Sequence, residues 1–293
     1  MGSCSGLCSK FTVEKPIILN VSEIEVVEGA LSDEYYHLSA QMSQQVEDKQ
    51  ILRLETGAIY EGELLNGVRH GRGKQIWPDG SYYIGDFVND KAQGHGKLVN
   101  ISGNIYEGSW MDDKANGVGK FMSTDGSYYE GEWLNDKQHG FGKEQCSNGS
   151  FYEGEFYKGA RHGKGKLVTK DGCQYVGTFE NGVISGKGTY KWADGKTYEG
   201  DFKHGQLWGK GVMRWEDDRE YIGEFKEDKR HGFGTYKWNG RKYMGEWLNG
   251  QQHGKGVYIR EDGQQREGIW QYGIRVRWND KIQTQQEQET TQN

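Results

Sequence analysis

The chain has 293 residues with a formal net charge of -6, and it holds 46 glycines but only 2 prolines and 4 cysteines. Glycine-rich sequence with so little proline excludes collagen, no apolar run approaches the ~18 residues of a membrane-spanning helix, and four cysteines in so long a chain are not a disulfide framework. Residues 1–50 carry 3 Lys/Arg against 8 Asp/Glu and residues 279–293 carry 1 against 3, which leaves 33 against 32 between them, so the body of the chain gives no general electrostatic footprint for nucleic acid.

Met1–Lys10 lacks the long apolar core of a secretory signal, and a reduced, cytoplasmic setting is expected. The same stretch resembles an N-myristoylation signal, with Gly2 as acceptor and Gly6 where Ser or Thr is usual. Cys4 and Cys8 stand beside it as palmitoylation sites, and a second acyl chain turns weak, reversible binding into stable anchoring. Residues 11–50 read as an N-terminal cap over the open end of the long region that begins at residue 51. Ile17, Ile18, Leu19, Val21, Ile24, Val26 and Val27 suit short strands, and Ser32 to Asp48 suits a helix with Ser32 as N-cap.

From residue 51 to 278 one word returns. Tyr83-Ile84-Gly85-Asp86-Phe87 has counterparts opening at Tyr60, Tyr106, Tyr129, Tyr152, Tyr175, Tyr198 and Tyr221, 23 residues apart. The next opens at Tyr243, one residue early, and Arg266-Glu267-Gly268-Ile269-Trp270 is a degraded last copy. A Gly-x-Gly pair follows each of the first nine, from Gly71/Gly73 to Gly254/Gly256. A fixed period of this length is the signature of a repeat array. Each unit reads as two strands joined by short turns, and Asp79-Gly80, Asp125-Gly126, Asp171-Gly172, Asp194-Gly195, Asn239-Gly240 and Asp262-Gly263 are expected to form type I′ hairpins. Asp218-Arg219 breaks that series, which makes Arg219 the expected point of strain. The predicted fold is all-β: an elongated, twisted, single-layer antiparallel meander of about ten repeats and about nineteen strands. Alternation puts Tyr83, Gly85 and Phe87 on one face, with glycines letting the rings lie over bare backbone.

Tyr129-Glu130-Gly131-Glu132-Trp133-Leu134-Asn135-Asp136-Lys137-Gln138-His139-Gly140-Phe141-Gly142-Lys143 resembles a MORN repeat, and the resemblance extends over residues 57 to about 278. It implies an open, twisted sheet with a groove. It also implies the roles known for the family: scaffolds, membrane-associated platforms, dimerising rods, and components of cilia and the cytoskeleton. Some members carry lipid kinase or methyltransferase modules after their repeats. Here residues 279–293 form a Gln-rich tail that reads as disordered.

His70, His139, His162, His231 and His253 recur before the Gly-x-Gly pair. Equivalent positions lie two strands apart, roughly 10 Å, too far for one zinc that needs ligands at about 2 Å, so no metal is expected. Gly205-Gln206-Leu207-Trp208-Gly209-Lys210 is one residue too short for a phosphate loop and lacks the following Ser or Thr. No nucleophile–base pair stands out, and neither catalysis nor a cofactor is expected. After the pair comes a basic ladder, Lys74, Lys97, Lys120, Lys143 and Lys166, which then gives way to Thr189, Val212, Thr235 and Val257. The ladder would follow anionic phospholipid headgroups or pair across strands with Glu63, Asp86, Glu132 and Glu155.

The expected function is a non-enzymatic scaffold tethered by acyl chains to the cytoplasmic face of a plasma or ciliary membrane. It would hold a peptide or helix of a partner protein in a groove lined by Tyr83, Phe87, Tyr106, Trp110, Tyr129, Trp133, Tyr152, Phe156, Tyr175, Phe179, Tyr198 and Phe202. A homodimer is compatible with this reading. The alternatives are a structural part of a cilium or cortical cytoskeleton, and a regulator of a phosphoinositide kinase supplied in trans.

Overall fold

The computed structural model describes residues 50–279, so Gly2, Cys4, Cys8, the cap over 11–50 (Gln50 apart) and the tail beyond Asn279 lie outside the described residues. Described structure is all-β, without a helix. The chain divides after Lys170 into two compact units. The first holds β1 (Gln50–Arg53) to β11 (Ala160–Val168) and the second β12 (Gln174–Glu180) to β21 (Ile274–Trp278). Within each unit, consecutive strands pair antiparallel as a meander. The strands number two more than expected because β1 and β21 flank the repeats.

Alternation works as the sequence predicts. In β4 (Tyr82–Val88), Tyr83 and Phe87 are buried while Tyr82, Ile84 and Val88 are not. The tyrosine side is therefore the core face. From Tyr83 onward the core tyrosines pack edge-on against aromatic rings of their own and the next repeat, whereas Tyr60, with Leu64 in its own repeat, meets Phe87. Tyr83 meets Phe87 and Trp110, both at 5.1 Å and near 90°, and Tyr106 meets Trp110 and Trp133 at 5.1 Å. Such edge-to-face pairs contribute about 0.5–1.5 kcal/mol each beyond area burial.

The Gly-x-Gly pair does two separate jobs. Opposite Asp86 the ladder slips, because Gly85 faces Gly96 while Phe87 faces Ala92. This bulge puts the first glycine, Gly94, at φ +71, a conformation that costs other L-residues about 1–2 kcal/mol. It also takes the Asp86 carbonyl out of the ladder, and the Tyr83 hydroxyl donates to it at 3.1 Å. The same bond recurs at Tyr106, Tyr129, Tyr152 and Tyr198. A buried phenol and a stranded carbonyl thus satisfy one another. The second glycine lies directly under the ring: a Cβ on Gly142 would come within 2.5 Å of Tyr129 Oη.

The turns correct the expectation. Between repeats, Trp77 N–H donates to Ser81 O and Gly80 N–H to Trp77 O, both at 2.9 Å, with positive φ only at Gly80. That is a three-residue loop, a type I turn closed by a left-handed glycine, with Pro78 at its favoured second position. Type I′ turns occur inside repeats instead, where both residues have positive φ, as at Asn89 and Asp90. Asn239-Gly240 is the exception. It is a true two-residue turn with Trp238 opposite Arg241, and the lost loop residue explains why Tyr243 comes one position early. Strain falls on Asp218 and not on Arg219, since Asp218 takes the glycine position at φ +62.

Burial displaces phenol ionisation. The pKa of Tyr60, Tyr175 and Tyr243 is pushed from 10.0 to about 12, mainly by loss of solvent, and Tyr83, Tyr106, Tyr129, Tyr152, Tyr198 and Tyr221 move further the same way. The unfolded chain therefore loses these protons first. Their contribution to stability is complete below pH 10 and is lost as pH rises through about 12. Phenolate absorbance and loss of β circular dichroism are expected to rise together across that window. Ionisation of these nine core phenols with the sheet intact would contradict it.

Candidate functional site

The twelve rings expected to line a groove are core. Tyr83, Phe87, Tyr106, Trp110, Tyr129, Trp133, Tyr152, Phe156, Tyr175, Phe179, Tyr198 and Phe202 are 0–5% exposed. Their faces are used within the chain, so a partner reaches only what lies beside them.

The lysine ladder is also partnered, though not by the acids expected. Lys97, Lys120 and Lys143 pair with Glu107, Glu130 and Glu153 at 3.7, 3.3 and 3.3 Å. These are the residues after each core tyrosine, directly opposite in register. The acids at the third place after the tyrosine are spent on backbone. Asp86, Glu132 and Glu155 accept N–H bonds from His95, Phe141 and Lys164 at 2.8–3.0 Å, closing the bulge. Lys74 and Lys120 also lie over Tyr82 and Tyr128 at 5.5 and 5.1 Å, and Lys166 is exposed. The face opposite the core also differs between units. Leu65, Val88, Met111, Leu134 and Tyr157 are exposed at the strand ends of residues 50–170. Their counterparts farther along are Glu180, Lys203, Lys226, Leu248 and Gln271, of which only Leu248 is apolar.

A row that sequence reasoning missed stands beside the core in residues 171–279. Trp192, Trp215, Tyr236, Trp238, Tyr258 and Trp278 are half-exposed. From Trp215 the rings run on from one another: Trp215 to Tyr236 at 6.0 Å, Tyr236 stacked on Trp238 at 5.1 Å, Trp238 to Tyr258 at 6.0 Å and Tyr258 to Trp278 at 6.3 Å, while Trp192 lies against Tyr190 at 4.6 Å. Guanidiniums decorate it. Arg219 lies over Trp215 at 5.4 Å, Arg230 over Tyr236 at 5.1 Å and Arg275 over Trp278 at 4.2 Å. At its end a cleft of about 1260 Å3 is lined by Trp238, Tyr258, Trp270 and Trp278 with Arg241, Arg260, Arg266 and Arg275. In residues 50–170 a cleft beside Arg69 and Trp77 has only about 30 Å3, room for about one water. The signal was present in sequence: Trp77, Trp192, Trp215 and Trp238 each directly precede an inter-repeat turn.

A family model described as the MORN repeat matches residues 60–82, 83–105, 106–128, 129–151, 152–174, 175–197, 198–218, 221–240 and 243–265. The chain belongs to the MORN-repeat family. Those nine MORN repeats make it a repeat scaffold. The tenth copy lies beyond the last match, and there Arg266 and Trp278 lie together at 5.2 Å where a further tyrosine would have stood. Among curated proteins none matches the chain. Among solved structures it is similar to the SAS-4 TCP domain of Drosophila melanogaster in complex with a proline-rich motif of Ana2. That match has 9% identity and TM-score 0.25, and covers 78% of this chain and 97% of the other. A mutant TCP10 domain of Danio rerio CPAP gives 10%, 0.24, 78% and 98%. Virginiamycin B lyase from Staphylococcus aureus gives 11%, 0.15, 75% and 83%.

Proposed function

We propose that this MORN-repeat chain is a non-enzymatic scaffold, anchored by acyl groups on Gly2, Cys4 and Cys8 to the cytoplasmic face of a membrane, which holds a partner protein on the core face of residues 171–279. The observation that carries the partner half is the half-exposed row of Trp192, Trp215, Tyr236, Trp238 and Tyr258. Large aromatic rings held rigidly but not buried are what interface anchors require. The anchoring half rests on the two-signal logic of the first ten residues. The lysine ladder is given no part in it, since Lys97, Lys120 and Lys143 are each matched by a glutamate.

The test is fractionation of cells expressing the full chain, with mass spectrometry of its N-terminus. The wild type is expected in the membrane fraction, released by mild detergent and carrying myristate and palmitate. Gly2→Ala should move most of it to the soluble fraction, and Cys4→Ser with Cys8→Ser should weaken retention. Equal partition of all three overturns the anchor. A wild type that stays in the detergent-insoluble pellet favours a cytoskeletal or ciliary part instead.

A further inference from the structure

The tenth residue of the repeat, counted from its tyrosine, lies on the core face and is arginine in three repeats: Arg69, Arg161 and Arg230. Two have a counter-ion within the chain. Arg69 pairs with Asp90 at 3.2 Å, and Arg161 pairs with Glu144 at 2.6 Å. Arg230 has neither. Met213 stands where Glu144 stands relative to Arg161, and Gly250, which has no side chain, stands where Asp90 stands relative to Arg69, since each donates its N–H to the carbonyl of its arginine. Its guanidinium donates to Gly250 O at 2.9 Å and lies against Trp247 at 4.2 Å. Burial lowers its pKa, the cost of holding a charge among rings without an anion. Farther along the same face, Arg260 and Arg275 have no carboxylate partner among the described residues, whereas Arg241 is matched by Glu261 at 3.0 Å.

Resting on the partner-holding reading above, we propose that this face takes an acidic, proline-containing peptide segment of a partner protein in the polyproline II conformation. Its carboxylates meet Arg230 and Arg275, and its rings and aliphatic side chains lie on Trp215, Tyr236, Trp238 and Tyr258. Spacing selects the conformation. Equivalent positions such as Trp215 and Trp238 lie two strands apart, roughly 9.6 Å. A polyproline II helix advances about 3.1 Å per residue with three residues per turn, about 9.3 Å. Every third side chain of such a segment therefore meets successive rungs, and a stiff segment loses little entropy on docking. Charge selects the composition, since the cleft carries four arginines against Glu261 and Asp262.

The experiment pans a display library of random 15-residue peptides against the full chain and measures a selected peptide by calorimetry. Enrichment of Asp or Glu with Pro at a three-residue spacing is expected. Arg230→Gln and Arg275→Gln should each weaken binding about tenfold, while Lys120→Gln in the other unit leaves it unchanged. Arg275 is exposed, so its variant decides the matter if Arg230→Gln fails to fold. No enrichment overturns the proposal, as do basic selected sequences, affinity indifferent to both arginines, or binding of a poly(U) oligonucleotide in place of peptides. Neutral peptides lost with Trp238→Ala but indifferent to the arginines would overturn the acidic class and leave the partner-holding reading standing.

Discussion

Replacing Gly142 with alanine is expected to lower stability by about 3–5 kcal/mol, among the largest effects of any single methyl group in the chain. The added carbon would stand 2.5 Å from Tyr129 Oη and 2.6 Å from the ring. The ring cannot retreat, because Trp133 and Phe156 hold it edge-on at 5.1 and 4.9 Å. Displacing it also strands the Glu132 carbonyl, which accepts the hydroxyl at 2.9 Å. Alanine at Gly126, in the turn just before the same repeat, meets no atom within 4 Å but keeps φ at +84, so it should cost only about 1–2 kcal/mol of backbone strain. Urea unfolding followed by tryptophan fluorescence compares the two, and equal losses would mean that ring contact is not what the glycine protects.

Removing the Glu144 side chain should cost about 3 kcal/mol, because it leaves Arg161 charged and largely out of water. The two side chains are 8% and 13% exposed and 2.6 Å apart, with the guanidinium also over Tyr152 at 4.9 Å. Glu153→Ala, which breaks the exposed pair with Lys143, should cost less than about 1 kcal/mol. A double variant, Glu144→Leu with Arg161→Ala, should recover most of the loss. It copies Leu98 and Ala115, which occupy the same two places in earlier repeats and are buried there without any charge. The same urea series reads all of these, and a double variant no better than Glu144→Ala would show that the two places are not interchangeable.

Much of the molecule was legible in sequence because its contacts are local in the repeat. Tyr129, Gly131 and Gly142 recur at fixed offsets, and period two along a strand assigns the core face without knowledge of any distant residue. Turn type was read wrongly for an equally physical reason. Asp79-Gly80 supplies a positive φ, but one positive φ closes a three-residue loop and two are needed for type I′. The acids were misassigned because Lys97 faces Ile84 across one ladder and Glu107 across the other, while Asp86 falls at the bulge and accepts the His95 N–H.

Sequence alone determined the all-β meander, its period and the identity of the core tyrosines, since each follows from spacing within one repeat. Only the tertiary structure decided which aromatics remain available. Tyr83 and Phe87 close over one another, whereas Trp215 and Trp238, one rung farther from the centre of the strands, have too few neighbours to be covered. It also decided which charges are left over, because Arg69, Arg161 and Arg230 read alike in the sequence. They differ only in whether the residue 17 positions before, or the turn residue that donates its N–H to the arginine carbonyl (Asp90 for Arg69, Gly250 for Arg230), brings a carboxylate within reach.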